Sequence, residues 1–421
     1  MLRDAADPIK MNEALDEYID DAAFAWMQRR DAKVAPNVSL QQLADLDERL
    51  AADLDGVRIA GAVAWSVLER ALLDDSSEAA FVAGVLALEA DDERFTALVD
   101  RAAVKPDIAA GLLDAAAWVP AILAARRFAT DHFDARPGWT LLQVAALASQ
   151  RLDLPPLAGD ALASLPGPAG RRLMRAAGEL ARRDLLPRLL ELLDAKGRET
   201  RFQAAWSALL LGDRDAALSA IGELACCPGP RQLRALQTAM LADDPPAGHD
   251  LLRHLDGSRD ALRLRIIGTG YVGDPKYVPW LIEQMSNPAT ARIVGEAFVH
   301  ITGADFNLDQ LEAMPPDDFE DGPTDDPDDE DVELPEDIAL PWPDVERIKA
   351  WWMEHRPEFT PGQKLFLGKP ITPEHCVHVL KTGYQRQRVI AAHYRSLIQP
   401  GTVLFPTSAP AWRQKKLLEA M

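Results

Sequence analysis

The chain has 421 residues, of which 48% are hydrophobic, and it carries 66 Asp and Glu against 45 Lys and Arg, a net charge of −21. This length and apolar content predict a folded protein of about two to four domains. The acidic surplus opposes broad contact with phosphates, so we expect neither nucleic acid nor an anionic membrane as a partner.

The N-terminal segment and the cysteines indicate a cytoplasmic protein. Residues 4–21 are rich in Asp and Glu, where a secretory signal would be basic and then apolar. The most apolar stretch, residues 112–125, is shorter than the ~20 residues that span a bilayer. Three cysteines, two of them adjacent, fit a reducing compartment better than a disulfide framework.

Residues 1–165 show the apolar spacing of consecutive amphipathic helices. The patterns cover approximately residues 10–30, 39–54, 56–73, 77–91, 93–103, 107–114, 117–128, 138–150 and 157–165. No stretch alternates as a sheet strand would. We predict an N-terminal helical cap followed by degenerate helical repeats.

Residues 166–307 repeat with a period of about 30 residues, which indicates stacked helical hairpins. Asp184, Asp213, Asp243 and Asp274 are 29, 30 and 31 residues apart, each between two helical patterns. We expect each aspartate to cap the second helix of its hairpin. Residues 270–288, GYVGDPKYVPWLIEQMSNP, resemble the HEAT-like repeat of the bilin-lyase type. The fold class predicted is therefore all-α: an α-solenoid of HEAT-like hairpins.

Residues 308–340 are predicted to be an acidic linker or loop. The 21 positions from 317 to 337 hold 13 acidic residues and no Lys or Arg, and such a segment repels itself and has little apolar area to bury. The rest of the chain has a net charge of only −8. Much of the overall negative charge thus comes from this one segment.

Residues 341–421 are predicted to form a small helical C-terminal module with the opposite charge, twelve Lys and Arg against six Asp and Glu. One helix should contain Ile348, one should start near Pro373 and stop at Gly383, one should cover 384–397, and a last helix should lie near 413–420. This basic surface could contact the acidic segment or an acidic partner.

Five residues of this module are candidates for binding a partner protein: Trp342, Trp351, Trp352, Arg386 and Arg388. Tryptophan and arginine dominate the energetics of many protein interfaces. The alternative for the tryptophans is packing in the core of the module.

A metal site is the only enzymatic possibility in the sequence. His375 and His378 stand three residues apart, and His393 could approach from the next helix. However, no second cysteine pair or matching carboxylate accompanies them. Because the chain also lacks a phosphate loop, a dinucleotide glycine motif and a Gly-x-Ser-x-Gly elbow, we expect no catalytic residue, no cofactor and no metal. A metalloenzyme on a HEAT scaffold stays open as an alternative.

Several separated segments resemble one proteobacterial family of HEAT-like repeat proteins encoded among type VI secretion genes. These segments are residues 46–61, 295–298, 301–303, 340–343, 351–352, 361–362 and 368–370. The resemblance covers nearly the whole chain and implies a non-enzymatic adaptor or chaperone for a secretion effector or spike component. An immunity protein that binds a toxin is the alternative within the same class.

Overall fold

The computed structural model describes residues 8–90, 93–134, 136, 138–255, 259–316, 319 and 337–421. The chain divides into two compact units. The first contains Met1–Leu192, Lys381–Arg388 and Pro400–Met421, and the second contains Leu193–Leu380 and Val389–Gln399. Residues 341–421 are thus shared between the two units.

The described residues are mostly helical, and their helices pack in sequential pairs, consistent with a helical repeat array. The helices are α1 (Pro8–Ala32), α2 (Leu40–Ala60), α3 (Ala62–Ala71), α4 (Ser77–Ala90), α5 (Glu93–Ala102), α6 (Pro106–Trp118), α7 (Ala121–Phe128), α8 (Trp139–Gln150), α9 (Ala158–Ser164), α10 (Gly167–Glu179), α11 (Leu186–Glu191), α12 (Arg198–Leu210), α13 (Ala216–Cys226), α14 (Gln232–Ala242), α15 (Pro245–His254), α16 (Arg259–Val272), α17 (Val278–Gln284), α18 (Ala291–Thr302), α19 (Val345–His355), α20 (Pro373–Thr382), α21 (Gln385–Ile398) and α22 (Ala411–Glu419).

Among the described residues, four two-residue strands form two small antiparallel ladders, which the sequence did not predict. They are β1 (Glu312–Ala313) with β2 (Trp342–Pro343), and β3 (Leu365–Phe366) with β4 (Lys369–Pro370). Their register pairs Glu312 with Pro343 and Leu365 with Pro370. A strand of two residues is too short to show the alternation of apolar and polar residues by which strands are recognised in a sequence.

The predicted helices are confirmed, and local chemistry explains their ends. Ser39 and Gln42 form a reciprocal capping box at the start of α2, which satisfies two otherwise unpaired donors. The break between α2 and α3 lies at Gly61, and the break between α6 and α7 lies at Pro120. The sequence placed both breaks about five residues early, because apolar spacing continues across them.

In the first unit, alternate helices pack side by side in the order α1, α4, α6, α8 and α10. The closest approach is between α4 and α6, where a Cβ on Gly111 would lie 2.1 Å from the Ser77 carbonyl oxygen. Trp26 and Phe81 stack in the core of this array with ring centroids 5.5 Å apart. Small residues therefore set the helix spacing, and aromatic rings fill the wider gaps.

In the second unit, α12, α13 and α14 pack in succession, and α14 continues to α16 and α18. A buried cluster around Phe298, Ile301 and Leu281 joins α16, α17 and α18 to α19. The residues before α19 also enter this core, since Leu311 and Leu340 are buried in it. The segment after residue 308 is therefore packed against the repeats of this unit on both of its flanks.

The flanks of the acidic segment are held together, which favours a loop over a linker between separate domains. β1 precedes the segment and β2 follows it, and the Asp344 amide donates to the Leu311 carbonyl oxygen at 2.8 Å. Asp337, the last acidic position, forms an ion pair with Arg263 of α16. Residues 317–318 and 320–336, which hold most of the predicted acidic run, lie outside the described residues.

The predicted aspartate caps are confirmed at two of the four positions. Asp213 accepts a hydrogen bond from the Ala217 amide at 2.7 Å, and Asp274 accepts one from Lys276 at 2.9 Å. The prediction is wrong for Asp184, which instead pairs with Arg182. It is also wrong for the third position, where Asp243 ends α14. The neighbouring Asp244 caps α15 there, because Pro245 occupies the first position of that helix.

Candidate functional site

The three candidate tryptophans lie in the core of the second unit or at its edge. Trp352 is only 7% exposed. Trp351 is half-buried, stacks on His355 at 4.2 Å between centroids and meets Phe298 edge to face. Trp342 is half-buried beside Phe319, 5.0 Å away. The packing alternative therefore accounts for Trp352, and only Trp342 and Trp351 keep part of their surface for a partner.

The two candidate arginines belong to the first unit. Arg388 is fully buried and donates to the side-chain oxygens of Gln385 and Gln414. Burial lowers the pKa of Arg388 to about 10. Arg386 is half-buried and donates to the Val34 carbonyl oxygen at 3.3 Å. Arg388 is thus an internal anchor and cannot present its guanidinium to a partner.

The candidate metal residues are engaged in other contacts. His375 Nε2 lies 2.7 Å from the Phe366 carbonyl oxygen, and His393 Nδ1 lies 2.7 Å from that of Val389. Burial raises the pKa of the neighbouring Cys376 thiol to about 11, far from the thiolate that binds metals. In the part of the chain that the structure describes, no group of three or more His, Cys, Asp or Glu is placed to hold a metal ion.

Instead, the first unit holds a segment of its own C-terminal region, without helix or strand and with a turn at residues 407–409, against its array of helices. We call this segment, residues 402–410, the strap. The Leu404 amide donates to the Glu179 carbonyl oxygen at the end of α10 (2.9 Å), and Arg151, just after α8, donates to the Leu404 carbonyl oxygen (2.8 Å). Arg29 of α1 donates to the Ser408 carbonyl oxygen (3.2 Å).

The strap is fixed at its far end by two buried polar contacts. The Ala411 amide donates to Asp47 Oδ2 at 2.5 Å, and Gln414 donates to the Ala409 carbonyl oxygen at 2.6 Å. Arg413 donates to the carbonyl oxygens of Trp118 and Val119 at the end of α6. The ends of helices leave carbonyls unpaired and carry negative partial charge. The Leu404 amide and the Arg413 guanidinium supply donors to such carbonyl groups at the ends of α10 and α6.

A related arrangement occurs within the second unit. Lys364 Nζ donates to the carbonyl oxygens of Met240, Leu241 and Asp243 at the end of α14, at 2.5, 3.2 and 2.6 Å. The Leu365 amide then donates to the Gly273 carbonyl oxygen just after α16. Here too, a late segment of the chain satisfies the ends of repeat helices.

A pocket of about 220 Å³ opens between the strap and the helices of the first unit. We call it the strap pocket. Its lining consists of Trp26, Arg29, Lys33, Phe81, Leu113, Asp114, Ala117, Trp118, Leu141, Ala145, Ser149, Arg172, Ser408 and Pro410. Aromatic rings form part of its wall, and its charged groups come from α1, α6 and α10.

Each charged side chain that lines the strap pocket forms an ion pair. Asp114 accepts a hydrogen bond from Trp26 Nε1 at 3.2 Å and pairs with Lys33 at 3.3 Å. Burial lowers the pKa of Lys33, although Asp114 opposes the shift. Arg29 pairs with Asp47 and lies over the Trp118 ring, 5.3 Å from its centroid. The pocket therefore combines cationic groups with aromatic surface.

At the α10 side of the pocket, one carboxylate faces three guanidinium groups. Arg172 and Arg175 each lie 2.9 Å from Glu179. Burial alone would raise the pKa of Glu179, but Arg172, Arg175 and Arg151 together lower it to about 2. Burial lowers the pKa of Arg151 to about 10. Three guanidinium groups thus surround one carboxylate, and of these four side chains Arg172 lines the pocket.

Sequence reasoning missed the strap and its pocket. The signal present was the basic balance of residues 341–421, which the sequence assigned to the acidic segment or to a partner. Several of these basic side chains instead donate hydrogen bonds to groups inside their own units, as Lys364, Arg388 and Arg413 do. Spacing along the chain cannot reveal these contacts, because Arg413 and Val119 are 294 positions apart.

No protein-family model matches this chain, and comparisons with curated proteins and with solved structures find no match. Within the described ranges, no helix combines the length and the apolar character needed to cross a membrane.

Proposed function

We propose that this protein is a cytoplasmic, non-enzymatic interaction scaffold built from HEAT-like helical hairpins. The sequential packing of helix pairs supports this interpretation, and so does the spacing of about 30 residues between the turns of the repeats. Arrays of this kind offer extended surfaces for protein partners.

The observation that carries the proposal is the binding of the strap in the first unit. Main-chain atoms of the strap form hydrogen bonds with the side chains of Arg29 and Arg151 and with the Glu179 carbonyl group. Main-chain contacts of this type do not depend on the side chains of the bound segment. The edge of the helix array therefore has donors and acceptors that hold a polypeptide segment by its main chain, and in this proposal a segment of the partner protein takes the place of the strap there.

The resemblance to the family associated with type VI secretion supplies the proposed partner. We propose that the scaffold holds a secretion effector or spike component, as an adaptor or chaperone, before secretion. The half-buried Trp342 and Trp351 add a second candidate contact surface. An immunity protein would differ in one respect: deleting its gene would poison the cell unless the toxin were deleted as well.

Site-specific photo-crosslinking in the native host tests the proposal. A crosslinking residue at Ser408, which is exposed beside the strap pocket, should capture a secretion-related protein. The matched control carries the crosslinking residue at position 188 instead, in place of the exposed Arg188 of α11. Identical products at both positions, together with normal effector delivery in a deletion strain, would overturn the proposed function.

A further inference from the structure

Four side chains meet at the short connection between α16 and α17 of the second unit, apart from the strap and its pocket. Asp274, Lys276 and Tyr277 belong to this connection, and His249 comes from α15. The Lys276 Nζ atom lies 2.7 Å from His249 Nδ1, and His249 Nε2 lies 3.0 Å from Asp274 Oδ2. The imidazole ring therefore stands between an ammonium group and a carboxylate.

The tautomer of His249 follows from these contacts. An ammonium group has only donors, so Nδ1 accepts from Lys276 and the proton of the neutral ring is on Nε2. Burial lowers the pKa of His249, and the charges of Lys276 and Arg253 act in the same direction. Asp274 opposes the shift but does not cancel it. A lowered pKa keeps the imidazole neutral at pH 7, and its Nδ1 atom is then able to accept a proton.

The Asp274 carboxylate is held in a fixed position behind the imidazole. It is fully buried, and its Oδ1 atom accepts hydrogen bonds from the Lys276 and Gly362 amides, both at 2.9 Å. Its Oδ2 atom faces His249 Nε2, but the contact is poorly aligned, and neither buried atom has a well-formed hydrogen bond among the described residues. A proton taken up by the imidazole would turn this contact into a buried ion pair. Asp274 therefore favours proton uptake by His249.

Lys276 combines this neighbourhood with access to solvent. It is exposed, and its Nζ atom lies 4.9 Å from the centroid of the Tyr277 ring, which restricts its position. A nucleophile, a base within hydrogen-bond reach and a third group that orients the base together form the arrangement of an activated nucleophile. Because Lys276 is open to solvent, a small electrophile can reach its amine without a binding pocket.

We infer that Lys276 is a modification site that takes an activated acyl group, with His249 as the base and Asp274 as the positioning residue of that base. The neutral form of the Lys276 amine attacks the carbonyl carbon of a thioester or an acyl phosphate, and a carbon–nitrogen bond forms. His249 Nδ1 takes a proton from the attacking nitrogen. The bond from the carbonyl carbon to the leaving sulfur or oxygen then breaks, and the proton passes to the leaving group. The products are an amide on Lys276 and a free thiol or phosphate.

Mass spectrometry after proteolysis measures the acetylation rate at each lysine of the full-length protein. The probes are acetyl phosphate and the thioester N,S-diacetylcysteamine. Lys276 should react about tenfold or more faster than Lys196, an exposed lysine just before α12 of the same unit, because a positioned general base accelerates proton transfer. A larger ratio with the thioester identifies a thioester as the donor, and a larger ratio with acetyl phosphate identifies an acyl phosphate. Equal rates at Lys276 and Lys196 with both probes overturn the inference.

Variants connect the reactivity to these side chains. His249→Asn keeps a polar group near the position of Nδ1 but removes the base, so the rate at Lys276 should fall to that at Lys196. Asp274→Asn keeps an acceptor for the two amides but removes the negative charge beside His249, and it should lower the rate at Lys276 as well. Tyr277→Phe is the matched control, because it keeps the ring beside Lys276 and should leave the rate unchanged. An unchanged rate at Lys276 in His249→Asn would overturn the inference, and this holds even if Asp274→Asn fails to fold.

The pH dependence separates a base from a merely structural contact. The ratio of the rates at Lys276 and Lys196 should fall towards one as the pH drops well below 6.5 and His249 takes up a proton. In Asp274→Asn, the remaining ratio should be lost at a lower pH than in the unaltered protein, because Asp274 raises the pKa of His249. A ratio that stays constant from pH 8 to pH 5 would show that His249 does not act as the base.

Discussion

Replacing Lys364 by methionine should destabilise the second unit by about 3 kcal/mol at neutral pH. The ammonium group donates to three main-chain carbonyl oxygens after the last turn of α14. Methionine has a similar length and an apolar character, so it fills the space but leaves those carbonyls without a donor.

The magnitude follows from two opposing effects of the buried ammonium. Hydrogen bonds to a charged group contribute about 1.5–3 kcal/mol each, or roughly 4.5–9 kcal/mol for three. Burial lowers the pKa of Lys364 from 10.5 to about 8, and at about 1.4 kcal/mol per pKa unit this opposes folding by about 3 kcal/mol. The difference is a net stabilisation of roughly 1–6 kcal/mol.

Urea denaturation of the full-length chain, followed by hydrogen exchange of the Gly273 and Leu365 amides, measures this loss within the second unit. Lys349→Met is the matched control, because Lys349 forms only an exposed pair with Glu346 and should change stability by less than about 0.5 kcal/mol. If Lys364→Met also changed stability by less than about 0.5 kcal/mol and left exchange unaltered, the capping role of Lys364 would be refuted.

Three further substitutions test the helix array of the first unit and its strap, and a fourth, in α13 of the second unit, is the control for a glycine with open space around it. Because the pKa of Glu179 is lowered from 4.5 to about 2, its ionised form stabilises the protein above about pH 4.5. That contribution is lost as the pH falls towards 2, so Glu179→Gln should cost about 3 kcal/mol at pH 7 and little near pH 2. Denaturation curves at the two pH values check this, and an equal loss at both would contradict it. Asp47→Asn breaks a buried ion pair and weakens the bond to Ala411. It should cost about 3–5 kcal/mol and expose the strap to proteases, and an uncut strap would speak against its anchoring role. Gly111→Ala should destabilise by about 2 kcal/mol or more through its clash with main-chain atoms. Gly222→Ala in α13, where a Cβ has open space, should stabilise by about 0.5–1 kcal/mol. Melting temperatures that move in the same direction for both glycines would show that packing does not decide these positions.

The sequence predicted the helices well because their signals are local. Apolar residues recur at helical spacing throughout 10–165, and the structure places α1 to α9 at nearly those positions. The predicted aspartate caps succeeded at Asp213 and Asp274 for the same reason, since a cap needs only the next few residues. The prediction failed at Asp243 by a single position, where Asp244 and the proline after it define the start of α15.

The candidate partner residues could not be judged from the sequence in the same way. Tryptophan and arginine are common both at interfaces and in cores, and local spacing does not distinguish the two. Trp352 is a core residue because it is buried within the second unit. Arg388 is an internal anchor because it is buried and donates hydrogen bonds to two glutamine side chains. Such burial depends on residues that are remote along the chain.

The amino-acid sequence alone therefore determined the helical class of this protein, most helix boundaries and the uneven distribution of its charge. Only the tertiary structure decided what the basic C-terminal residues do. Lys364 and Arg413 bond to the carbonyls of helices that end more than a hundred residues earlier, and within the first unit the strap forms part of the wall of a pocket. The physical reason is that a helix end leaves its carbonyls unpaired, and the chain satisfies them with whichever donors the fold brings near.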